Sequence, residues 1–258
     1  MPKLFTFIFA FILLSIPARA EKINLTADEK VEWHQNEQKM VAVGNAVATK
    51  KDLTVKADKM TGFYKSVKGE KSSITSVHAA GNVRAKTPTA TAFGDTLDYD
   101  LVKEEMVLIG KPARIKTATE TISARDKITY YPKEQKAIAR GDVVADNKEN
   151  KIHSDIMIAY FEKNARGQME MKRVEIFDHA KIVTQNAVAY ADRGLYLPGA
   201  AKAYLYDNVK ITQDGSELYG DKAETDLNTG ISKLVSKTKG KRVSGVFKEK
   251  SYAEKSKK

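Results

Sequence analysis

Residues Asn36–Ala48 read NEQKMVAVGNAVA and residues Lys133–Ala145 read KEQKAIARGDVVA, identical at seven of thirteen positions and 97 residues apart. In each, a short apolar strand is interrupted by a glycine, Gly44 and Gly141. The same strand recurs as VHAAGNVRA at Val77 and VLIGKPARI at Val107, and in degenerate form as IFDHAKIV at Ile176 and LYDNVKIT at Leu205. The anchors Gly44, Gly81, Gly110, Gly141, Asp178 and Asp207 are unevenly spaced. Yet Gly44 to Gly141, Gly81 to Asp178 and Gly110 to Asp207 are each 97 residues. One offset kept over so many landmarks reads as a tandem duplication, and internal periods of this kind decide the fold before any single element does.

A second motif follows each anchor, roughly small-Asp-x-apolar-x-x-aromatic: KADKMTGFY, FGDTLDY, ARDKITY, HSDIMIAY, YADRGLY and YGDKAETD. Its aspartates are Asp58, Asp95, Asp126, Asp155, Asp192 and Asp221, with a half-copy at Asp28. Alternating, β-branched and aromatic stretches such as VRAKTPTATAF and KIHSDIMIAYF predict strands. Turn clusters at Lys68-Gly69-Glu70, Pro132-Lys133-Glu134, Pro198-Gly199 and Asn228-Thr229-Gly230 separate them. No stretch beyond the first twenty residues carries a helical apolar stripe. The expectation is an all-β chain, a solenoid-like stack of antiparallel strands built from a duplicated unit of about 97 residues, because no strand pair buries its apolar face alone. The repeated Gly is expected where side-chain bulk is excluded. The repeated Asp is expected to cap turns by accepting from backbone N–H groups.

At the N-terminus, Lys3, the apolar run Leu4–Ile16 and the small-x-small triplet Ala18-Arg19-Ala20 predict a cleaved export signal over residues 1–20. The run is too short for a membrane span. The domain is expected over 21–235, followed by a basic, unstructured tail over 236–258. The chain has no cysteine, so neither a disulfide nor a thiolate metal site is possible. Its formal net charge is +11. Of that, +2 belongs to Lys3 and Arg19 and +8 to residues 233–258, which leaves a nearly neutral body. A neutral body argues against a nucleic-acid-binding surface.

The chemistry of catalysis is missing from the pattern. The four histidines, His34, His78, His153 and His179, have no metal-ligand spacing, and neither a nucleophile elbow nor a phosphate loop is present. Asp98 with Asp100, and Asp126 with Asp142, are the carboxylate pairs that a polysaccharide-cleaving β-helix would need. The reading is of a binding protein, with no catalytic residue, no cofactor and no metal.

The A-x-G-N-V-x-A strand at Ala79–Ala85 and its relative at Ala42, followed 14 residues after the Gly by an Asp-x-apolar-x-Tyr strand, resembles the OstA-like repeat. The resemblance covers about Leu25 to Ser232. That family comprises the periplasmic lipopolysaccharide-transport protein LptA, the periplasmic domain of LptC and the N-terminal domain of LptD. The LptA pattern fits best, since LptC keeps its anchor and the chain lacks room for the LptD barrel. The resemblance implies an open twisted β-jellyroll in the periplasm that holds the lipid A part of lipopolysaccharide between two sheets. It also implies head-to-tail self-association, with LptC-like and LptD-like proteins at the two ends. The apolar residues expected to alternate toward the interior and bind lipid are Val43, Val47, Val55, Met60, Phe63, Val83, Phe93, Leu97, Tyr99, Ile109, Ile128, Tyr130, Ile158 and Tyr196. The face that each strand turns inward is not fixed by the pattern. A structural or adhesive exported β-solenoid without lipid, and a polysaccharide-active β-helix, remain as alternatives.

Overall fold

The computed structural model describes residues 23–66, 72–165, 167, 169–226, 228–229, 231–236 and 242–248. The export segment, the Lys68-Gly69-Glu70 turn and most of the basic tail lie outside the described residues. Eighteen strands follow one another: β1 (Asn24–Thr26), β2 (Lys30–His34), β3 (Lys39–Lys50), β4 (Leu53–Lys65), β5 (Ser73–Lys86), β6 (Ala90–Asp100), β7 (Glu105–Ile109), β8 (Ala113–Thr117) and β9 (Thr121–Ala124), then β10 (Lys127–Tyr131), β11 (Lys136–Asp146), β12 (Lys151–Lys163), β13 (Met169–Val183), β14 (Ala187–Leu197), β15 (Lys202–Gln213), β16 (Ser216–Asp226), β17 (Ser232–Val235) and β18 (Ser244–Val246). The one helical piece among the described residues is a 3-10 turn at Pro198–Ala200.

Among the described residues every strand pairing is antiparallel, and successive crossings are neighbours. β1 with β2, β7 with β8, β9 with β10, and β17 with β18 each lie end to end along a single neighbouring strand. The eighteen strands among the described residues therefore make fourteen crossings of one meander. The 97-residue offset is visible in the elements: β6 and β14 coincide under it, as do β2 and β10. β16 and β17 begin a third copy. β18 falls in the stretch expected to be an unstructured tail, where Glu217, Leu218 and Tyr219 of β16 pair with Val246, Gly245 and Ser244.

The long strands β3, β5, β11, β13 and β15 are each bent near the middle, at the repeat anchor. The register slips between Val43 and Ala46, Ala80 and Val83, Arg140 and Val143, Phe177 and Ala180, and Tyr206 and Val209. At each slip two consecutive residues have positive φ: Gly44–Asn45, Gly81–Asn82, Gly141–Asp142, Asp178–His179 and Asp207–Asn208. This is a β-bulge, two residues opposing one, and it bends the strand it occupies. Gly, Asn and Asp tolerate the left-handed region, which is why the anchor decays from Gly to Asp without loss of the bend. Glycine also answers a close approach. A Cβ on Gly81 would lie 2.2 Å from Asp58 Oδ2, and one on Gly141 would lie 2.4 Å from Asp126 Oδ2. Gly110 differs: it separates β7 from β8 and has no positive φ.

The repeated aspartates do not cap turns. Three of them accept from the side chain at the tip of the opposing bulge: Asn45 to Asp28 at 2.7 Å, Asn82 to Asp58 at 2.9 Å and Asn208 to Asp192 at 2.8 Å. His179 takes the same place against Asp155 at 2.8 Å. Turn capping falls instead to Asp100, which accepts from the N–H groups of Val102 and Lys103. It falls also to Thr87, Thr117, Asn147 and Thr184, which close four-residue turns along one long edge.

The bends fold the meander into two facing layers. Layer one holds the halves of each crossing that run to the edge with turns 51–52, 87–90, 117–120, 147–150 and 184–187. Layer two holds the halves that run to the edge with turns 35–38, 101–104, 132–135 and 198–201. A single apolar row crosses layer two from Ala42 through Met60, Ala79, Leu97, Leu108, Ile128, Ala139 and Met157 to Ile176. Small and large residues mix along it, so facing side chains interdigitate. The core is continuous between the layers. Burial pushes the Tyr130 and Tyr196 hydroxyls up to about 12, with the Tyr99 hydroxyl and the Glu120 carboxylate adding to the respective shifts.

Two outcomes test this architecture. Gly141→Val should lower stability in urea unfolding by about 2–3 kcal/mol, because it combines a positive φ with a clash against Asp126. Gly62→Ala, whose Cβ meets no heavy atom within 4 Å, should change it by less than about 0.5 kcal/mol. In alkaline titration, the Tyr130 and Tyr196 phenols should ionise above the other tyrosines when followed by ultraviolet absorbance. Their folded pKa lies above the unfolded value near 10, so the stability they contribute is complete below pH 10 and is lost as pH rises toward 12. Phe at both positions should remove that loss.

Candidate functional site

Between the layers, at the N-terminal end, lies an apolar cavity of about 740 Å³ counting its open mouth. Layer one contributes Ala48, Leu53 and Val55. Layer two contributes Met60, Val77, Ala79, Leu97, Tyr99, Leu101 and Met106. Ile23 and Ile74 complete the apolar wall, with Thr49 and Lys50 as its polar neighbours. A second cavity of about 340 Å³ lies deeper, between Ala85, Ala92 and Ile115 on one side and Leu108, Ile128 and Tyr130 on the other. The two share Leu97 and Met106, so the apolar space runs inward along the stack. Burial raises the Tyr99 hydroxyl above its ordinary value, and the nearby Glu104 charge adds to this. A neutral phenol in an apolar wall is the state that costs least.

Register and bulges explain which expected residues reach this space. Val55, Met60, Leu97 and Tyr99 line the outer cavity, Ile128 and Tyr130 the inner one, and Val83 and Tyr196 are buried core. The other six point away from it, a correction to their expected inward alternation. Val43 pairs with Lys59, Val47 with Lys56, Phe63 with Ser76, Phe93 with Arg84, Ile109 with Thr96 and Ile158 with Glu175, all on outer faces. Phe63, Phe93 and Ile109 are exposed at 40%, 36% and 42%. On β3 alternation is unbroken: Ala42, Ala46 and Ala48 share the inner face, so the larger Val43 and Val47 face out. On β6, opposite the Gly81–Asn82 bulge, the alternation shifts, so Ala92 and Leu97 both face inward and Phe93 faces out. Residues that sequence reasoning missed, including Leu53, Ile74, Val77, Leu101 and Met106, are the cross-strand and diagonal neighbours of those it found. Val77, for example, pairs with Tyr99.

The carboxylate pairs weighed for catalysis are committed to structure. Asp98 is hydrogen-bonded to His78 at 2.5 Å, and Arg125 bridges Asp126 and Asp142. Among the described residues, no group of three or more His, Cys, Asp or Glu could hold a metal ion. The arrangement offers an apolar channel, and its chemistry is partition of hydrocarbon out of water.

Two segments of the chain, residues 24–136 and 126–231, match the family described as LptA/(LptD N-terminal domain) LPS transport protein. Among solved structures, the chain is similar to LptH from Pseudomonas aeruginosa, described as the LptA homologous periplasmic component of the conserved lipopolysaccharide transport device. Identity is 19% and the TM-score 0.44, over 50% of this chain and 95% of that one. No curated protein matches the chain. The two family matches follow one another as the two structural repeats do and together span residues 24–231, so the chain belongs to the LptA/LptD N-terminal family of lipopolysaccharide transport proteins.

Proposed function

We propose that this chain carries lipopolysaccharide through the periplasm, with the lipid A acyl chains held in the apolar space between the two layers. The observation that supports this reading most directly is the open cavity walled by Leu97, Tyr99, Met106 and Val55, continuing inward to Ile128 and Tyr130. Each exposed CH₂ costs about 0.8 kcal/mol in water, so a twelve-carbon acyl chain faces a penalty on the order of 10 kcal/mol. A groove that opens at one end of a stack removes that penalty without an energy-coupling step in the carrier itself. Delivery to the periplasm rests on the export signal at residues 1–20.

The bridging role rests on the ends of the meander. β1 and β2 pair with β3 alone, and β17 and β18 with β16 alone, among the described residues. Unpaired edges are templates for another strand. Joining the last crossing of one chain to the first of the next is heterologous, so it propagates into a filament, with LptC-like and LptD-like domains at the two ends.

Two measurements test this reading. In a lipopolysaccharide-displacement assay, Leu97→Asp or Tyr99→Asp should weaken binding by roughly tenfold or more, because a charge in an apolar wall is expensive. Ile109→Asp, on the outer face of layer two, should stay near the parent value. Equal losses at all three positions would remove the groove assignment, and a native protein that carries no acylated lipid by mass spectrometry would favour the lipid-free solenoid. In light scattering, the mature chain should grow in mass with concentration, and a chain ending at Asp226 with an unchanged β spectrum should not. A parent chain that stays monomeric at high concentration would mean that the edges are closed.

A further inference from the structure

The outer face of layer one is basic, although the body as a whole is nearly neutral. Two rows of residues alternate with the inward-facing ones on these strands. The first runs through Lys56, Arg84, Phe93 and Arg114 and, past Ser123, Val144 and His153, reaches Lys181, Tyr190 and Lys210. The second runs through Thr54, Lys86, Thr91 and Lys116 toward Asp146 and Lys151. Asp146 and Glu217, farther along the second row, are the two carboxylates of these rows, and each already holds a lysine: Asp146 binds Lys151 at 3.0 Å and Glu217 binds Lys210 at 2.7 Å. Among the described residues, Lys56, Arg84, Lys86, Arg114 and Lys116 make no ion pair. All five are exposed.

Arg84, Lys86, Arg114 and Lys116 form a rectangle. Arg84 and Arg114 flank Phe93, and Lys86 and Lys116 flank Thr91. Strand spacing makes the long side roughly 10 Å and the step along each strand about 7 Å. The Arg84 guanidinium lies 5.6 Å from the Phe93 ring centre, which orders the cation without neutralising it. Lys86 and Lys116 immediately precede the turns Thr87–Ala90 and Thr117–Glu120, so the rectangle adjoins one long edge of the layer pair. That lip carries hydroxyls and no exposed charge: Thr87, Thr89, Thr117 and Thr119. On the opposite face of these strands, Ala85, Ala92 and Ile115 line the inner cavity.

The duplication keeps only one side of the rectangle: Arg84–Phe93–Arg114 recurs as Lys181–Tyr190–Lys210. In the second half, the row pairing Lys86–Thr91–Lys116 becomes Val183–Val188–Thr212 on the same backbone. Burial, together with Lys181 and Lys151, depresses His153 below its ordinary value, as a basic surface would.

We infer that the outer face of layer one around Arg84, Lys86, Arg114 and Lys116 docks the phosphate-bearing saccharide of the glycolipid whose acyl chains enter between the layers. The inference rests on the lipid-binding reading above. Charge complementarity selects the ligand: two pairs of unpaired cations within reach of two phosphates, framed by threonine hydroxyls suited to sugar hydroxyls. A head group that emerges at the threonine lip needs to turn over only one tight turn to reach them.

The test uses the full chain and two probes: the fully deacylated glucosamine disaccharide bisphosphate, and an uncharged fluorescent fatty amide. The variant Arg84→Gln/Lys86→Gln/Arg114→Gln/Lys116→Gln should bind the bisphosphate roughly tenfold or more weakly at low salt, where exposed charges act over about 10 Å or more. It should bind the fatty amide as the parent does. A layer-two variant with the same loss of charge, Lys59→Gln/Lys127→Gln/Arg140→Gln/Lys222→Gln, should keep the bisphosphate. Three results overturn the proposal: equal loss from both variants, equal binding of the dephosphorylated disaccharide, or capture of anionic phosphatidylglycerol vesicles in preference to the disaccharide, which would make the face a membrane contact. Failure of the fatty amide to bind, with the bisphosphate bound and lost in the variant, would sink the groove reading and leave this surface standing.

Discussion

The pair of left-handed residues at the middle of β3, β5, β11, β13 and β15 is the constraint on which the rest depends. A straight antiparallel meander of fourteen crossings would be one flat sheet with an apolar face in water. Two residues of positive φ, opposed by one, bend these five strands, and the strands paired with them follow the bend. The apolar face then meets itself, and one continuous chain supplies both walls of the cavity. At four of the bulges the Asp opposite is held by the Asn or His at the tip, and at Gly141–Asp142 Arg125 bridges Asp126 and Asp142, fastening the bend to a neighbouring crossing. Where the Gly is replaced, as at Asp178–His179 and Asp207–Asn208, the bend survives because these residues also tolerate the left-handed region.

Core and cavity wall share one surface in this fold. Toward the middle of the stack the layers are filled by their own side chains, with Ile122, Met157 and Ile176 fully buried. At the N-terminal end, alanines at 48 and 79 and the gap beside Leu97 and Met106 leave the walls apart. The same residue types thus serve stability in one place and partition in another, and the difference is side-chain volume, not polarity. A transport protein built this way needs neither catalytic groups nor a bound ion. Its selectivity has to come from the shape of the space and from polar contacts outside it, which gives the charge on the outer faces its weight.

Alternation makes those outer faces independent of the inner ones. On β5, β6 and β8 the residues Ala85, Ala92 and Ile115 are held to small or apolar types, while Arg84, Lys86, Phe93 and Arg114 one step away answer to solvent and ligands. The two halves of the chain keep a common backbone and still diverge in surface charge.

The sequence alone determined the all-β class, the 97-residue duplication, the anchor positions and the family, because these follow from identities, spacings and strand periodicity along the chain. It also found eight inward residues, among them Met60, Leu97, Tyr99 and Tyr130, where simple alternation held. Only the tertiary structure decided the fate of the other six. The two-against-one count at a bulge shifts the alternation on the strand opposite it, so Ala92 and Leu97 of β6 share the inner face. On β3, where alternation is unbroken, no spacing rule shows whether Ala42, Ala46 and Ala48 or Val43 and Val47 face the core. The tertiary structure likewise decided that repeated aspartates hold bulges, since their partners lie 16 to 24 residues away across a strand pair. The basic face of layer one was invisible for a related reason: net charge sums over the chain, whereas a face gathers residues such as Lys56, Arg84 and Arg114 that only the strand register brings side by side.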